Sequence, residues 1–206
     1  MKNLKQYITE KLKITKDNID VHKKYKYFPK TKEELREIIK ERIKNEGSEC
    51  NFNDIDVSKI TDMSGLFYGS GFIGDISNWD VSNVTNMFAM FRESKFDGDI
   101  SSWDVSNVKK MNDMFNLSNF NKDISNWDVS NVTNMRHMFS VSKFNSDISN
   151  WNVSNVTDIR NMFWKSNFDR DISNWKLNDK CDTKEMFDYC PLKEQPEKWP
   201  QNYNVK

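Results

Sequence analysis

The chain runs to 206 residues with 31 Lys/Arg, 31 Asp/Glu and two His, so its formal net charge at pH 7 is zero. That balance excludes the strongly basic profile of a nucleic-acid binder, and no apolar run approaches the roughly 20 residues of a membrane span. Three cysteines at these spacings make neither a disulfide framework nor a zinc pattern.

The neutrality conceals a split, because residues 1–50 carry 14 Lys/Arg against 9 Asp/Glu and the remainder 17 against 22. In the basic part, Leu4, Ile8 and Leu12 recur at i, i+4, i+8 and predict a short amphipathic helix that needs a partner surface. Lysines interrupt it too often for the apolar stretch of a secretory signal. The product as written is therefore expected to be cytoplasmic, with a cell-surface location only if a signal has been removed. The segment V-H-K-K-Y-K-Y-F-P-K comes next, and its Pro29 biases Phe28 toward an extended cap strand with solvated lysines. Thr31-Lys32-Glu33-Glu34 reads as a capping box. Leu35, Ile38, Ile39 and Ile43 at helical spacing, then Gly47, predict a helix over 32–46 whose apolar stripe covers the open end of the region beginning at residue 51. Residues 1–50 thus form a helical N-terminal cap.

From position 51 the chain is a tandem repeat. Trp79, Trp103, Trp127, Trp151 and Trp175 share a 24-residue phase with Met87, Met111 and Met135 and with Phe91, Phe115, Phe139, Phe163 and Phe187. Extending the phase outward gives about six units over 51–194, the terminal ones degenerate, with 195–206 as a C-terminal cap or tail. In I-S-N-W-D-V the alternation predicts a strand with one buried face. In M-x-x-M-F the spacing i, i+3, i+4 predicts a short helix or helical turn that the upstream Thr85 or Thr133 could cap. The expected fold is therefore α/β: parallel strands stacked coil upon coil, each followed by a short helix. Cys50, Cys181 and Cys190 read as small buried groups in the terminal units, a Cys181–Cys190 bridge or a redox role being the alternatives.

The motifs V-T-N-M-x-x-M-F-x-x-S-x-F and D-I-S-x-W-D-V-S-N-V resemble the BspA-type leucine-rich repeats of the family called DUF285 or BspA-like surface protein. The leader F-P-K-T-K-E-E-L and the tail M-F-x-x-C-P-L-K are similar to that family's ends. The resemblance implies a right-handed LRR-like solenoid and a binding role.

Nothing in the motifs points to catalysis. His22 and His137 stand beside no nucleophile motif, no Gly-rich phosphate loop occurs, and neither a cofactor nor a metal is expected. The chain reads as a non-enzymatic module, a monomer, presenting a rigid surface to a protein partner. The alternatives are an adhesin for host or matrix protein whose signal has been removed, or an intracellular inhibitor of a host protein, of bacterial or phage origin. Asp80, Asp104 and Asp128 lie between inward Trp and Val. Each either accepts hydrogen bonds from its own D-V-S-N turn, or the row attracts a cation or a basic partner. Positions that vary between units are free of stacking duty. Among them Tyr68, Phe88 and Trp164, with Arg92, Arg136 and Arg160, have the composition of an interface hot spot. Asn83, Asn131 and Asn155 head N-V-T triplets, formal glycosylation acceptors that also suit a turn.

Overall fold

A computed structural model describes residues 24–203, so the stripe of Leu4, Ile8 and Leu12, and His22, lie outside the described residues. The repeat forms a stack, but its local structure corrects the strand-and-helix expectation. The described residues contain one α-helix, α1 (Lys32–Glu46), and only isolated parallel bridges in place of a sheet. The α/β reading, a right-handed LRR-like solenoid of strand-helix repeats, is thereby overturned.

The D-I-S-N-W-D-V-S-N-V segment is two five-residue turns rather than a strand. In the first, Asp75 Oδ1 accepts from the Ser77 amide at 2.9 Å and the Trp79 amide donates to the Ile76 carbonyl at 3.2 Å. In the second, Asp80 Oδ1 accepts from the Ser82 amide at 3.1 Å and the Val84 amide donates to the Val81 carbonyl at 2.8 Å. Aspartate bonding to the backbone two residues on is the Asx turn. The pattern D-Φ-S-N-Φ thus occurs twice in succession. Trp79 and Val81 are two apart because they end one turn and begin the next, which mimics strand alternation.

The M-x-x-M-F segment divides its amides between two duties. Met90, Arg92 and Ser94 donate back three residues, each at 3.2 Å. Met87, Ala89, Phe91 and Glu93 donate to the carbonyls of Lys110, Asn112, Met114 and Asn116 in the next coil at 2.8 to 3.0 Å. A helix would consume every amide within itself and leave none for the neighbouring coil. Releasing alternate amides requires two left-handed residues per coil, four apart, as at Ala89 (φ 52°) and Glu93 (φ 56°). The i, i+3, i+4 burial of Met87, Met90 and Phe91 comes from this run of turns. The Thr85 hydroxyl, expected to cap a helix, donates instead to the Thr61 carbonyl of the coil below at 3.2 Å.

Stacking in register carries like side chains over like. Phe67, Phe91, Phe115, Phe139, Phe163 and Phe187 form one column with centroids 5.5 to 6.2 Å apart and planes within 8°. Phe72, Phe96, Phe120, Phe144 and Phe168 form a second at 5.9 to 6.4 Å. The in-phase indoles of Trp79, Trp103, Trp127, Trp151 and Trp175 each donate to a carbonyl of the preceding coil, Trp103 to Ile76 at 3.2 Å and Trp127 to Ile100 at 3.1 Å. The Asn83, Asn107, Asn131 and Asn155 side-chain amides donate to the Ser58, Ser82, Ser106 and Ser130 carbonyls at 2.7 to 2.8 Å. The N-V-T asparagines therefore belong to the stack. Among the described residues no buried side-chain N or O lacks a partner.

Both ends are covered. At the first coil Thr31 Oγ1 caps α1 by accepting from the Glu34 amide, while the Glu34 carboxylate reaches back one residue further than a capping box, to the Lys30 amide at 2.7 Å. Leu35 and Ile39 close the core. The Arg42 guanidinium lies over the Tyr27 and Phe52 rings and pairs with Asp54 and Glu46. Tyr27 adds an extended rung through a parallel bridge to Ile55, as the Pro29 bias implied. At the last coil Trp199, one period beyond Trp175, stacks 5.4 Å from Phe187, and Tyr203 lies 4.9 Å from the same ring. Cys50, Cys181 and Cys190 are buried and not disulfide-bonded, so the Cys181–Cys190 bridge is not formed.

Candidate interaction surface

Because stacking holds the interior constant, only side chains pointing away from it are free to vary, and these fall on two stretches of the coil. On the first, Asp80, Asp104 and Asp128 are exposed, and each accepts from the amide of the serine two residues on, at 3.0 to 3.1 Å. Asn152 makes the same bond to Ser154. The turn thus accounts for the recurrence of the aspartate. A longer row, Asp75, Asp99, Asp123, Asp147 and Asp171, heads the first turn in the same way at 2.8 to 2.9 Å. The sequence reading reaches only Asp80, Asp104 and Asp128, although the doubled D-Φ-S-N-Φ motif is a signal for the longer row. Backbone amides of Ser101, Ser125, Ser149 and Ser173, helped by their hydroxyls, hold Asp99, Asp123, Asp147 and Asp171 below the usual carboxylate range. The Ser130 hydroxyl and amide do so for Asp128. Among the described residues no three His, Cys, Asp or Glu gather as metal ligands.

The second stretch is the run of turns. Seven large apolar side chains are exposed among the described residues, and five of them, Tyr68, Phe88, Leu117, Val141 and Tyr189, lie here. Trp164 is half-buried, edge-on to Tyr189 at 6.1 Å with Lys165 Nζ 4.3 Å from its ring centroid. The arginines on this face differ in their ties. Arg92 lies over the Tyr68 ring and reaches Asp113 at 3.3 Å, and Tyr68 donates to Glu93 at 3.3 Å. Arg160 grips Asp158 through two bonds of 2.7 and 2.9 Å, whereas Arg136 is exposed. His137 Nδ1 lies 3.4 Å from Asp113, a carboxylate it shares with Arg92. The expected residues on this stretch therefore share one face. Leu117, Val141 and Tyr189 escape the sequence reading, although they vary between units one position beyond the column of Tyr68, Arg92 and Trp164.

A model of the family described as Mycoplasma protein of unknown function, DUF285, matches residues 34–119 and again 116–199. The chain belongs to the DUF285 family. The two matches meet within the third coil and reach from α1 to the Trp199 cap, so the DUF285 pattern takes in both covers as well as the stack. No curated protein and no solved structure matches the chain. Among the described residues of this DUF285 chain, no helix is long and apolar enough to cross a membrane.

Proposed function

We propose that the chain is a non-enzymatic protein-binding module, and that it binds through the run-of-turns face. The supporting observation is the concentration of exposed apolar side chains there, five of seven, beside Arg92, Arg136 and Arg160. Aromatic residues with arginine dominate interface energetics, and a face already ordered by its neighbours loses little entropy on docking. The resemblance to BspA-like surface proteins carries the same expectation of binding. Asp80, Asp104 and Asp128 are assigned to turn formation, each bond being satisfied within its own coil.

The test is affinity capture followed by mass spectrometry with two variants that retain the wild-type circular dichroism. Phe88→Ala with Trp164→Ala is expected to lose a discrete partner. Asp80→Asn, Asp104→Asn and Asp128→Asn together keep the turn bond, as Asn152 does, and are expected to retain it. Loss with the asparagine set and retention with the alanine pair would move the site to the other stretch. Loss with neither would remove both.

A further inference from the structure

The two left-handed positions of each coil are filled on different principles. The first reads Gly65, Ala89, Asp113, His137, Asn161, Glu185, and is rich in the Gly, Asn, Asp and His that tolerate positive φ. The second reads Gly69, Glu93, Leu117, Val141, Lys165, Tyr189 and, after its first glycine, holds none of these. A bulky or β-branched side chain is disfavoured in this backbone region. Leu117, Val141 and Tyr189 are, in addition, 45, 37 and 73 % exposed. Backbone preference and solvation both oppose these three residues, and stacking does not require them, since Gly69 and Glu93 serve elsewhere. An outward duty remains.

They form one ridge. The Leu117, Val141 and Lys165 amides donate to the Ser140, Trp164 and Asp188 carbonyls, so the row reads Leu117, Val141, Lys165, Tyr189 coil upon coil; Trp164 joins it beside Lys165, whose Nζ lies 4.3 Å from its ring centroid, and stands edge-on to Tyr189. The rim is basic: Arg136, Lys143 and Lys165 are exposed, and neither Arg136 nor Lys143 is in an ion pair among the described residues. The carboxylates of this stretch have partners of their own: Glu93 has Arg92, Asp113 has Arg92 and His137, Asp158 and Asp182 have Arg160, Glu185 has Lys184, and Asp188 has Lys193. Successive coils repeat at about 4.8 Å. Residues at i, i+3 and i+4 of a helix are spaced about 5–6 Å apart and keep step with the ridge, whereas alternate residues of an extended strand, about 6.7 Å apart, lose register within two coils.

Resting on the binding role argued above, we propose that the Leu117–Val141–Trp164–Tyr189 ridge receives an acidic amphipathic helix of a partner protein, lying along the stack with its apolar stripe on the ridge and its carboxylates toward Arg136, Lys143 and Lys165. The probe is a synthetic helical peptide with leucines at i, i+4, i+7 and i+11 flanked by glutamates. Its controls are the same peptide with lysines in place of the glutamates and vesicles of anionic lipid. Fluorescence anisotropy is expected to show binding of the glutamate peptide alone, weakened by added salt. Leu117→Asn and Val141→Asn are expected to weaken it about tenfold or more each, while raising Tm by ~2–4 °C, since asparagine tolerates the left-handed backbone. That opposition separates a surface role from a structural one. Equal binding of the lysine peptide, absence of peptide binding, unchanged affinity in both variants, or binding to vesicles alone would overturn the proposal. A captured partner lost with Phe88→Ala but indifferent to both asparagine variants would leave the binding face standing and remove the helix from it.

Discussion

At position 74 a single missing methyl group decides whether the first two coils can meet. A Cβ on Gly74 would lie 2.0 Å from the Cys50 carbonyl oxygen, a backbone atom fixed by its own rung. One coil later a Cβ on Gly98 would collide only with the Phe96 ring, at 2.7 Å, and the Gly74 carbonyl stands back at 3.5 Å. The same position holds Lys122, Ser146 and Arg170 further on, beside Phe120, Phe144 and Phe168, so a small ring adjustment admits a side chain. Gly74→Ala is therefore expected to cost about 2–3 kcal/mol and Gly98→Ala less than about 1 kcal/mol, read from urea midpoints at constant slope. Equal losses would mean that the backbone contact at Cys50 relaxes as easily as a ring.

At the scale of the element, the coil is held by bonds whose partners lie about one period away, which explains what could be read from sequence. The phase predicted the aromatic columns, because like side chains at constant spacing must stack if the chain stacks at all. Helix α1 was legible to its ends because Thr31, Glu34 and Gly47 are local signals acting locally. The secondary structure inside the coil was not. Met87, Met90 and Phe91 have helical spacing, yet the amide of Met87 belongs to Lys110, and no local pattern distinguishes an amide bonded within from one bonded across. Likewise Trp79–Asp80–Val81 alternates like a strand only because one Asx turn ends where the next begins. The cross-coil bonds can be weighed at Trp127, whose indole donates to the Ile100 carbonyl at 3.1 Å inside the core. Trp127→Phe is expected to cost about 1.5–3 kcal/mol, from the lost cross-coil bond to a buried carbonyl that keeps only the Trp103 amide and from a partly filled ring site, measured by chemical denaturation. A cost below about 1 kcal/mol would show the bond to be dispensable.

Across the whole molecule the aspartate ladder makes stability depend on acid. Serine amides hold Asp99, Asp123, Asp147 and Asp171 below the range they would show unfolded, so the folded state binds fewer protons than the unfolded one at mildly acidic pH. The contribution is complete above the unfolded aspartate value of about 3.9 and is lost as pH falls through the lower folded values. Stability at low salt is expected to hold from pH 7 to about 5 and to drop from there toward pH 2, as repeated Asx turns are protonated over a narrow span. Thermal melts in that range measure it. A flat profile would mean that the turns stand without their carboxylates. The fall should be smaller when Asp123 and Asp147 are both replaced by asparagine, which keeps an acceptor for the Ser125 and Ser149 amides at every pH.

The covers are confined to the two ends, and the coils between them bond to their neighbours through the same positions, the Trp103 and Trp127 indoles reaching back over an identical number of residues. Loss or duplication of one 24-residue coil therefore leaves the contacts at both covers unchanged. Reach along the axis is thereby adjustable independently of what stands at each end.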